Sequence, residues 1–404
     1  MANRGQEMRA LIRSPEYGKL VVAQTVSTAG TGASALTLTV LVTQWLGLAG
    51  MSEYLLATTI PGLVLGAAAG VLTDRRSRRT LVVTADIVRS VVTLALVVVD
   101  RELLWVLFAL MIARTTISVF GDSANNALMP SLVPKNLLTG AYGLQMALGN
   151  VARVGGMGLG GLLVNHANVV FVFDAATFLA AAALRWFVRE PPRHASNRAP
   201  ANSIKLLSSW VRDASDGAVF LIRQHDVRTA LVYSAAITFS GATLTALYTP
   251  YILITLHSPA WWIAAIEAIG VGGIVVSGIL VQGITKRLGT TKAILIGGIS
   301  VGITFAAYSL VKSVWIVAVI EVPNGLAIGL LQACLPAIIA LNTPNELLGR
   351  TNAALDTTTQ AGFLLSLPVA GALAQGIGVR STFWIAAGAV IAATILIYGR
   401  TVTR

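Results

Sequence analysis

The chain has 404 residues, of which 55% are apolar and 11% charged, and its mean hydropathy is +0.76. This composition excludes a soluble globule, because 46 charged side chains are too few to make the surface of a soluble protein of this length. The net charge of +12 invites a nucleic-acid partner, but the basic residues follow the loops between apolar runs. We therefore expect a membrane protein with no nucleic-acid partner.

Several classes of protein are excluded by what the sequence lacks. The single cysteine, Cys334, rules out a disulfide framework within one chain, and the four histidines are scattered over loops without the spacing of metal ligands. No glycine-rich loop ends in Gly-Lys-Ser or Gly-Lys-Thr, which argues against an ATP-driven pump. We expect no enzyme, no metal and no other cofactor.

Apolar runs long enough to cross a bilayer, about 20 residues each, recur along the whole chain. The first of them follows a basic N-terminus but has no small-residue cleavage site, so it is read as a span and not as a signal peptide. The runs are too long and too continuously apolar for membrane β-strands. We predict an all-α membrane protein with twelve transmembrane helices, at about 20–46, 53–72, 81–99, 103–124, 139–164, 168–188, 229–256, 261–283, 291–311, 313–340, 350–373 and 380–399.

One long polar break, after six spans, divides the chain. It predicts an N-terminal six-helix bundle at 1–188, a cytoplasmic linker at 189–228 and a C-terminal six-helix bundle at 229–404, with a surface helix in the linker near 206–222. The halves resemble each other, since PKNLLTGA precedes span five and PNELLGRT precedes span eleven. Two similar halves around a midplane site are a transporter architecture.

The orientation follows from the distribution of Lys and Arg over alternate loops. With the N-terminus inside, 23 of the 29 basic residues are cytoplasmic and three are external, while Arg89, Arg114 and Arg153 lie within spans. Positive loops stay on the cytoplasmic side of a membrane. We expect a multi-pass protein of the cell (inner) membrane with both termini in the cytoplasm.

The loop from Gly70 to Arg79 reads GVLTDRRSRR. It resembles the signature loop of the major facilitator superfamily, with serine in place of the second glycine, and so implies the major facilitator fold. Glycine at its start permits close helix approach, and its aspartate can sit against a helix N-terminus or an arginine. The resemblance implies a gating loop made of Gly70, Asp74, Arg75, Arg78 and Arg79, latched with Asp122 of span four. A simple topology anchor is the alternative.

Span five carries a glycine-rich stretch, Gly143, Gly156, Gly160 and Gly161. It resembles the exporter motif of the same superfamily, with methionine where proline is usual. Ordinary packing of small residues between helices explains the glycines equally well.

Four further stretches, ADIVR at 85–89, ALMPSLVP at 127–134, FDAATF at 173–178 and NELLGR at 345–350, are similar to the drug-efflux branch that includes macrolide and enterobactin exporters. The resemblance implies a proton-coupled antiporter that exports small hydrophobic or amphipathic compounds by alternating access. Its partners would be protons, a small-molecule substrate and the lipid bilayer, and we expect a monomer. Movement of lysophospholipids or other lipids, or a non-transporting sensor, remains an alternative.

Charged residues inside spans are costly and so are usually paired or functional. A helical rise of about 1.5 Å per residue places Asp86, Arg89 and Arg114 at one level, and Arg153 level with Asp174 in the neighbouring span. We expect these five residues to form pairs that hold the N-terminal half together.

The C-terminal half has acids in spans eight, ten and eleven, Glu267, Glu321 and Asp356, and no Lys or Arg accompanies them there. A carboxyl buried without a cation is protonated much of the time, as a proton carrier must be. Glu321 is the first candidate, because Pro323 and Gly325 loosen its helix; a neutral acid bonded within the bundle is the alternative. Candidate cavity residues on span one, which could instead join helices, are Gln24, Ser27, Thr28 and Thr31.

Overall fold

The computed structural model describes residues 14–190, 225–342 and 345–396. Within these ranges it contains helices and no strand. The first six long helices are α1 Pro15–Leu48, α2 (Gly50–Gly66 with Ala68–Arg75), α3 Arg78–Ala95, α4 Leu104–Leu132, α5 Leu138–Leu162 and α6 Ala167–Trp186. The other six are α7 His225–Pro250, α8 Trp261–Leu288, α9 Thr290–Leu310, α10 Val314–Asn342, α11 Asn345–Ile377 and α12 Val379–Thr394. The predicted fold class is confirmed.

Most of these helices are long and apolar enough to cross a bilayer individually. In the described ranges, nine helices are long and apolar enough to cross a bilayer, judged by length and hydropathy alone. The two pieces of α2, bent relative to each other, make a tenth when they are taken as one span. Helical hydrogen bonding runs on from Pro15 to Arg75 across the boundary between α1 and α2, but Gly47, near the end of α1, has φ 66° and ψ −149°. Only glycine adopts this backbone region readily.

The chain divides into two compact units. Unit 1 consists of Met1–Trp45 and Leu56–Ala201, and unit 2 of Leu46–Leu55 and Asn202–Arg404. The boundaries that the sequence suggests at 188 and 229 remain predictions, and the predicted surface helix at 206–222 lies outside the described residues.

In unit 1, α3 packs against α4 and α6, while α1 packs against α5 and α6. A core of buried apolar side chains from these helices surrounds Tyr17, whose hydroxyl donates to the Ala141 carbonyl oxygen at 3.1 Å. Ser77 caps the N-terminus of α3 by accepting from the Thr80 N–H at 3.3 Å. The unit is thus held by apolar packing together with capped helix ends.

The crossing of α1 and α5 depends on glycine. A Cβ on Gly156 would lie 2.8 Å from the backbone carbon of Ala29, and one on Gly160 would lie 2.9 Å from that of Ala33. Real side chains do not tolerate such distances, so both positions need glycine for the two backbones to approach. Gly161 is also buried, whereas a Cβ on Gly143 would meet nothing within 4 Å. Close helix packing therefore accounts for Gly156 and Gly160 in the exporter-like stretch.

We expect Gly156→Ala to lower the thermal unfolding midpoint of the purified protein, because overpacking a tight contact costs about 1–3 kcal/mol. Gly158→Ala is the matched control on the same helix, since its Cβ would meet nothing within 4 Å. Alanine is favoured over glycine within a helix, so the control should unfold at the same temperature or higher. Equal midpoints for the two variants would contradict the packing explanation.

In unit 2, α8 packs against α10 and α9 against α12. A Cβ on Gly273 of α8 would lie 2.9 Å from the backbone of Gly325 in α10, so this crossing also rests on glycine. Next to it, Tyr251 donates to the Tyr308 carbonyl oxygen at 2.7 Å and stacks edge-on against Phe383, with ring centroids 5.2 Å apart. This packing surrounds the buried acid Glu321 of α10, whose partners are described below.

Candidate functional site

A cavity of about 240 Å³ lies in unit 1 among α1, α4 and α5. This is slightly below the usual size range of small-molecule sites, about 300–1,000 Å³. Its lining combines neutral hydrogen-bonding groups with two larger side chains: Gln24, Thr28, Asn126, Tyr142, Gln145, Met146 and Gly149. None of these seven residues is charged. Such a lining suits an uncharged molecule that has both polar and apolar surface.

Of the four cavity residues predicted on α1, two line this cavity. Gln24 and Thr28 do so, and they are 3.4 Å apart from Nε2 to Oγ1. Ser27 is buried and donates at 3.2 Å to the carbonyl oxygen of Gln24, within its own helix. Thr31 is exposed and is not among the lining residues. The residues on α4 and α5 were not predicted, since amides in a helix give no sequence signal of their own.

Gln24 joins the cavity to a buried ion pair. Its Oε1 accepts from Arg185 Nη2 at 2.6 Å, and the Nη1 of the same arginine donates to Asp86 of α3. The side chain of Asp86 is fully buried and that of Arg185 nearly so. A hydrogen-bonded arginine–carboxylate pair is the usual way to keep two charges inside a protein.

Arg89 continues this network towards the end of α4. Its Nη1 lies 3.9 Å from Asp86 Oδ1, its Nε donates to Ser118 at 2.9 Å, and its Nη2 donates to Asp122 at 3.2 Å. Asp122 is the exposed member, with 57% of its side chain accessible. The network therefore runs from the cavity, through the buried pair, to an exposed carboxylate.

A second buried pair joins α4 to α6. Arg114 Nη2 donates to Asp174 Oδ2 at 2.7 Å and to Ser34 at 2.9 Å, and the Ser34 hydroxyl donates to the same carboxylate oxygen. Phe178 separates the two networks: the guanidinium carbons of Arg89 and Arg114 lie 5.4 and 5.8 Å from its ring centroid. Both cations thus gain a favourable contact with the ring of Phe178.

The structure corrects the predicted pairing. Asp174 is bound by Arg114 and Ser34, and its second oxygen accepts no hydrogen bond from the described residues, so the predicted Arg153–Asp174 pair is wrong. Arg153 instead contacts the sulfur of Met157 at 3.4 Å. Asp86 is bonded directly by Arg185, with Arg89 farther away at 3.9 Å, and Arg185 is one of the basic residues that the sequence analysis counted as cytoplasmic. Equal depth in two helices does not mean that two side chains face each other.

The arginines of the basic loop hold helix ends together. Arg78 donates to the Ala127 carbonyl oxygen at 2.8 Å, and Arg79 donates to that of Val188 at 3.4 Å. Glu190, which the sequence analysis missed, accepts hydrogen bonds from the Ser77 hydroxyl at 2.8 Å and from the backbone N–H of Arg79 at 3.3 Å. A carboxylate therefore lies at the N-terminus of α3, where a negative charge is favourable.

The gating loop implied by the resemblance also includes Gly70, Asp74 and Arg75, latched with Asp122. Asp74 and Arg75 are exposed. Asp122, expected to latch with Asp74, accepts from Arg89. The latch itself stays a prediction. At Gly70 the described residues show no close helix approach, because a Cβ there would meet none of their atoms within 4 Å.

In unit 2, Glu321 is buried on α10, and its partners in the described part of the chain are neutral donors. Its carboxylate accepts from the Tyr308 hydroxyl and, at 3.1 Å, from the side-chain amide of Asn324. Gly270 of α8 leaves room for it, since a Cβ there would lie 2.6 Å from Glu321 Oε1. Glu267, one turn before Gly270, acts on it electrostatically. Among the residues that the structure describes, no cation is a partner of Glu321.

The third predicted acid, Asp356, belongs to α11, but its side chain lies outside the described part of the chain. Among the described residues, no group of three or more His, Cys, Asp or Glu side chains could hold a metal ion.

Comparison with known proteins places this architecture in a family. The model of the Major Facilitator Superfamily matches residues 20–320 and 262–404. YfiS of Bacillus subtilis (strain 168), described as an uncharacterized MFS-type transporter, is 23% identical over 350 residues, which cover 82% of this chain and 80% of that protein. Macrolide efflux protein A of Streptococcus pyogenes is 22% identical over 347 residues, covering 83% and 84%.

A solved structure shares the fold. The crystal structure of the nucleoside transporter NupG superposes with a TM-score of 0.77 at 10% identity, over 95% of this chain and 98% of that one. The resemblance inferred from the signature loop is therefore confirmed, and the relatives are transporters rather than enzymes. The chain is a multi-pass membrane protein that belongs to the major facilitator superfamily.

Proposed function

We propose that the chain is a proton-coupled exporter of small amphipathic compounds in the cell (inner) membrane, working as a monomer by alternating access with both termini in the cytoplasm. The observation that carries the proposal is the neutral polar cavity of unit 1, connected through Gln24 to the buried Arg185–Asp86 pair. A ligand in this cavity contacts Gln24, which also bonds Arg185 of the charge network, so ligand binding can favour one arrangement of these bonds over another. The macrolide efflux relatives support the export direction.

Glu321 is the proposed proton carrier. Burial without a cation disfavours the charged carboxylate, and the Tyr308 hydroxyl and Asn324 amide can bond either protonation state. Asp86 and Asp174 suit this role less well, because each is bound by an arginine that favours its ionised form. The exposed Asp74 loop is proposed to govern switching between states rather than the choice of substrate.

Transport into inside-out membrane vesicles tests the function. We expect radiolabelled chloramphenicol and the neutral dye Nile red to accumulate when the vesicle lumen is acidified, because export by proton antiport becomes uptake in this orientation. A protonophore should abolish the accumulation, and vesicles without the protein should show none. Uptake that does not depend on the pH gradient across the vesicle membrane would contradict proton coupling. Movement of a fluorescent lysophospholipid without uptake of either probe would favour lipid translocation instead.

A further inference from the structure

We propose that Gln24 determines specificity in the cavity of unit 1, and that it selects uncharged ligands by donating a hydrogen bond to an acceptor oxygen such as a carbonyl. This inference rests on the proposed function and deepens it. It assigns the chemical class of the ligand from the orientation of one amide and from the charges around it.

The orientation of the Gln24 amide is fixed by Arg185. A guanidinium group has five N–H donors and no acceptor, so only the oxygen of an amide can face it. The 2.6 Å contact with Arg185 Nη2 therefore belongs to Gln24 Oε1, and a flipped amide would set donor against donor. Arg185 cannot turn away, because its side chain is 2% exposed and also bonds Asp86. Gln24 must present its NH₂ group on its other side.

The NH₂ group of Gln24 can donate more hydrogen bonds than it makes within the protein. Its contact with Thr28 Oγ1 is 3.4 Å long, at the weak end of the hydrogen-bond range, and it uses at most one of the two N–H groups. Since Gln24 and Thr28 both line the cavity, the remaining donor is available to a molecule there. The ligand atom that satisfies it must be an acceptor.

The charges nearby favour a neutral ligand over a cation. None of the seven lining residues carries a carboxylate, and one of them, Gln24, bonds the guanidinium of Arg185. Asp86 neutralises that guanidinium from the far side, so it offers an anion little attraction. A cation would lose hydration without gaining a counterion. Tyr142 and Met146 supply apolar contact area for the rest of the molecule.

The test compares two ligands and two matched substitutions in the full-length protein, purified and held in lipid nanodiscs without any gradient. Chloramphenicol is the neutral probe with carbonyl acceptors, and tetraphenylphosphonium is a cation without any acceptor. Gln24→Glu keeps an oxygen for Arg185 and nearly the same shape but removes the NH₂ group. Gln44→Glu makes the same change on the exposed side of the same helix, outside the cavity lining.

We expect the wild-type protein and Gln44→Glu to bind chloramphenicol and to prefer it to tetraphenylphosphonium in equilibrium dialysis. Gln24→Glu should bind chloramphenicol about tenfold more weakly, the loss of about one hydrogen bond, and should gain affinity for tetraphenylphosphonium. If Gln24 only positioned Arg185, the affinity of Gln24→Glu for chloramphenicol would stay at the wild-type value, because the bond to Arg185 is kept.

Three results would overturn the inference: tighter binding of the cation by the wild type, an unchanged preference in Gln24→Glu, or no binding of chloramphenicol. Binding alone does not test transport. If the protein exports tetraphenylphosphonium, the proposed function is retained and this inference is refuted. If it binds chloramphenicol but does not transport it, the inference is retained and the proposed function is refuted.

Discussion

Glu321→Gln should abolish accumulation of substrate driven by a pH gradient in inside-out vesicles, while substrate binding and exchange in the absence of a gradient persist. Glutamine has the shape of a protonated glutamate and can still accept from Tyr308, so the surrounding packing is preserved. It cannot release a proton, so the variant resembles a permanently loaded carrier. The expected loss is of coupling and not of affinity.

Glu102→Gln provides the matched control for this prediction, because Glu102 is exposed in the short turn between α3 and α4. It should accumulate substrate as the wild type does. Glu267→Gln and Asp356→Asn, measured in the same assay, rank the three acids that the sequence places in spans of the C-terminal half. If all three variants still concentrate substrate against its gradient, the proton takes another path or the transporter uses another driving force.

Asp86→Asn should lower the stability of the protein by about 3–5 kcal/mol, because removing one partner of a buried ion pair leaves the other charge uncompensated. Arg185 would then remain buried with only neutral acceptors, Gln24 among them. Thermal unfolding of the purified protein in detergent measures the effect as a lower midpoint.

Asp122→Asn is the comparison, since it removes the same charge from the same network at an exposed position. The side chain of Asp122 is 57% accessible and that of Asp86 is 0%. Exposed ion pairs contribute about 0–1 kcal/mol, so this midpoint should barely change. The double variant Asp86→Asn with Arg185→Gln removes both buried charges and should recover much of the loss. Equal destabilisation by the two single variants would show that burial does not decide the strength of this network.

The sequence alone predicts the helices well, because apolar length is a direct requirement of the bilayer. It also predicts that acids in the N-terminal half contact arginines, but not which ones. Depth can be calculated from helical rise, whereas the direction of a side chain depends on the packing of the helix, which hydropathy does not encode. This is why Asp174 contacts Arg114 instead of Arg153.

Residues near helix ends are harder still to predict. Arg185 lies one residue before the end of α6, where its charge resembles that of the following loop. In the structure it is buried and bonds both Asp86 and Gln24, so it joins the cavity to the charge network. The cavity lining on α4 and α5 could not have been found from the sequence, because Asn126 and Gln145 are ordinary neutral residues until the fold brings them beside Gln24.

The single-residue connections of unit 2 bear on the ancestry of the chain. Gly289 joins α8 to α9 with φ 82° and ψ 157°, and Gly378 joins α11 to α12 with φ 86° and ψ 157°. Each occupies the junction between the second and third helices of a triplet, α7–α9 or α10–α12, and each carbonyl accepts from the N–H four residues later at 3.1 Å. The two triplets of unit 2 therefore turn from their second helix into their third with the same backbone geometry, as expected of a six-helix half built from two three-helix repeats.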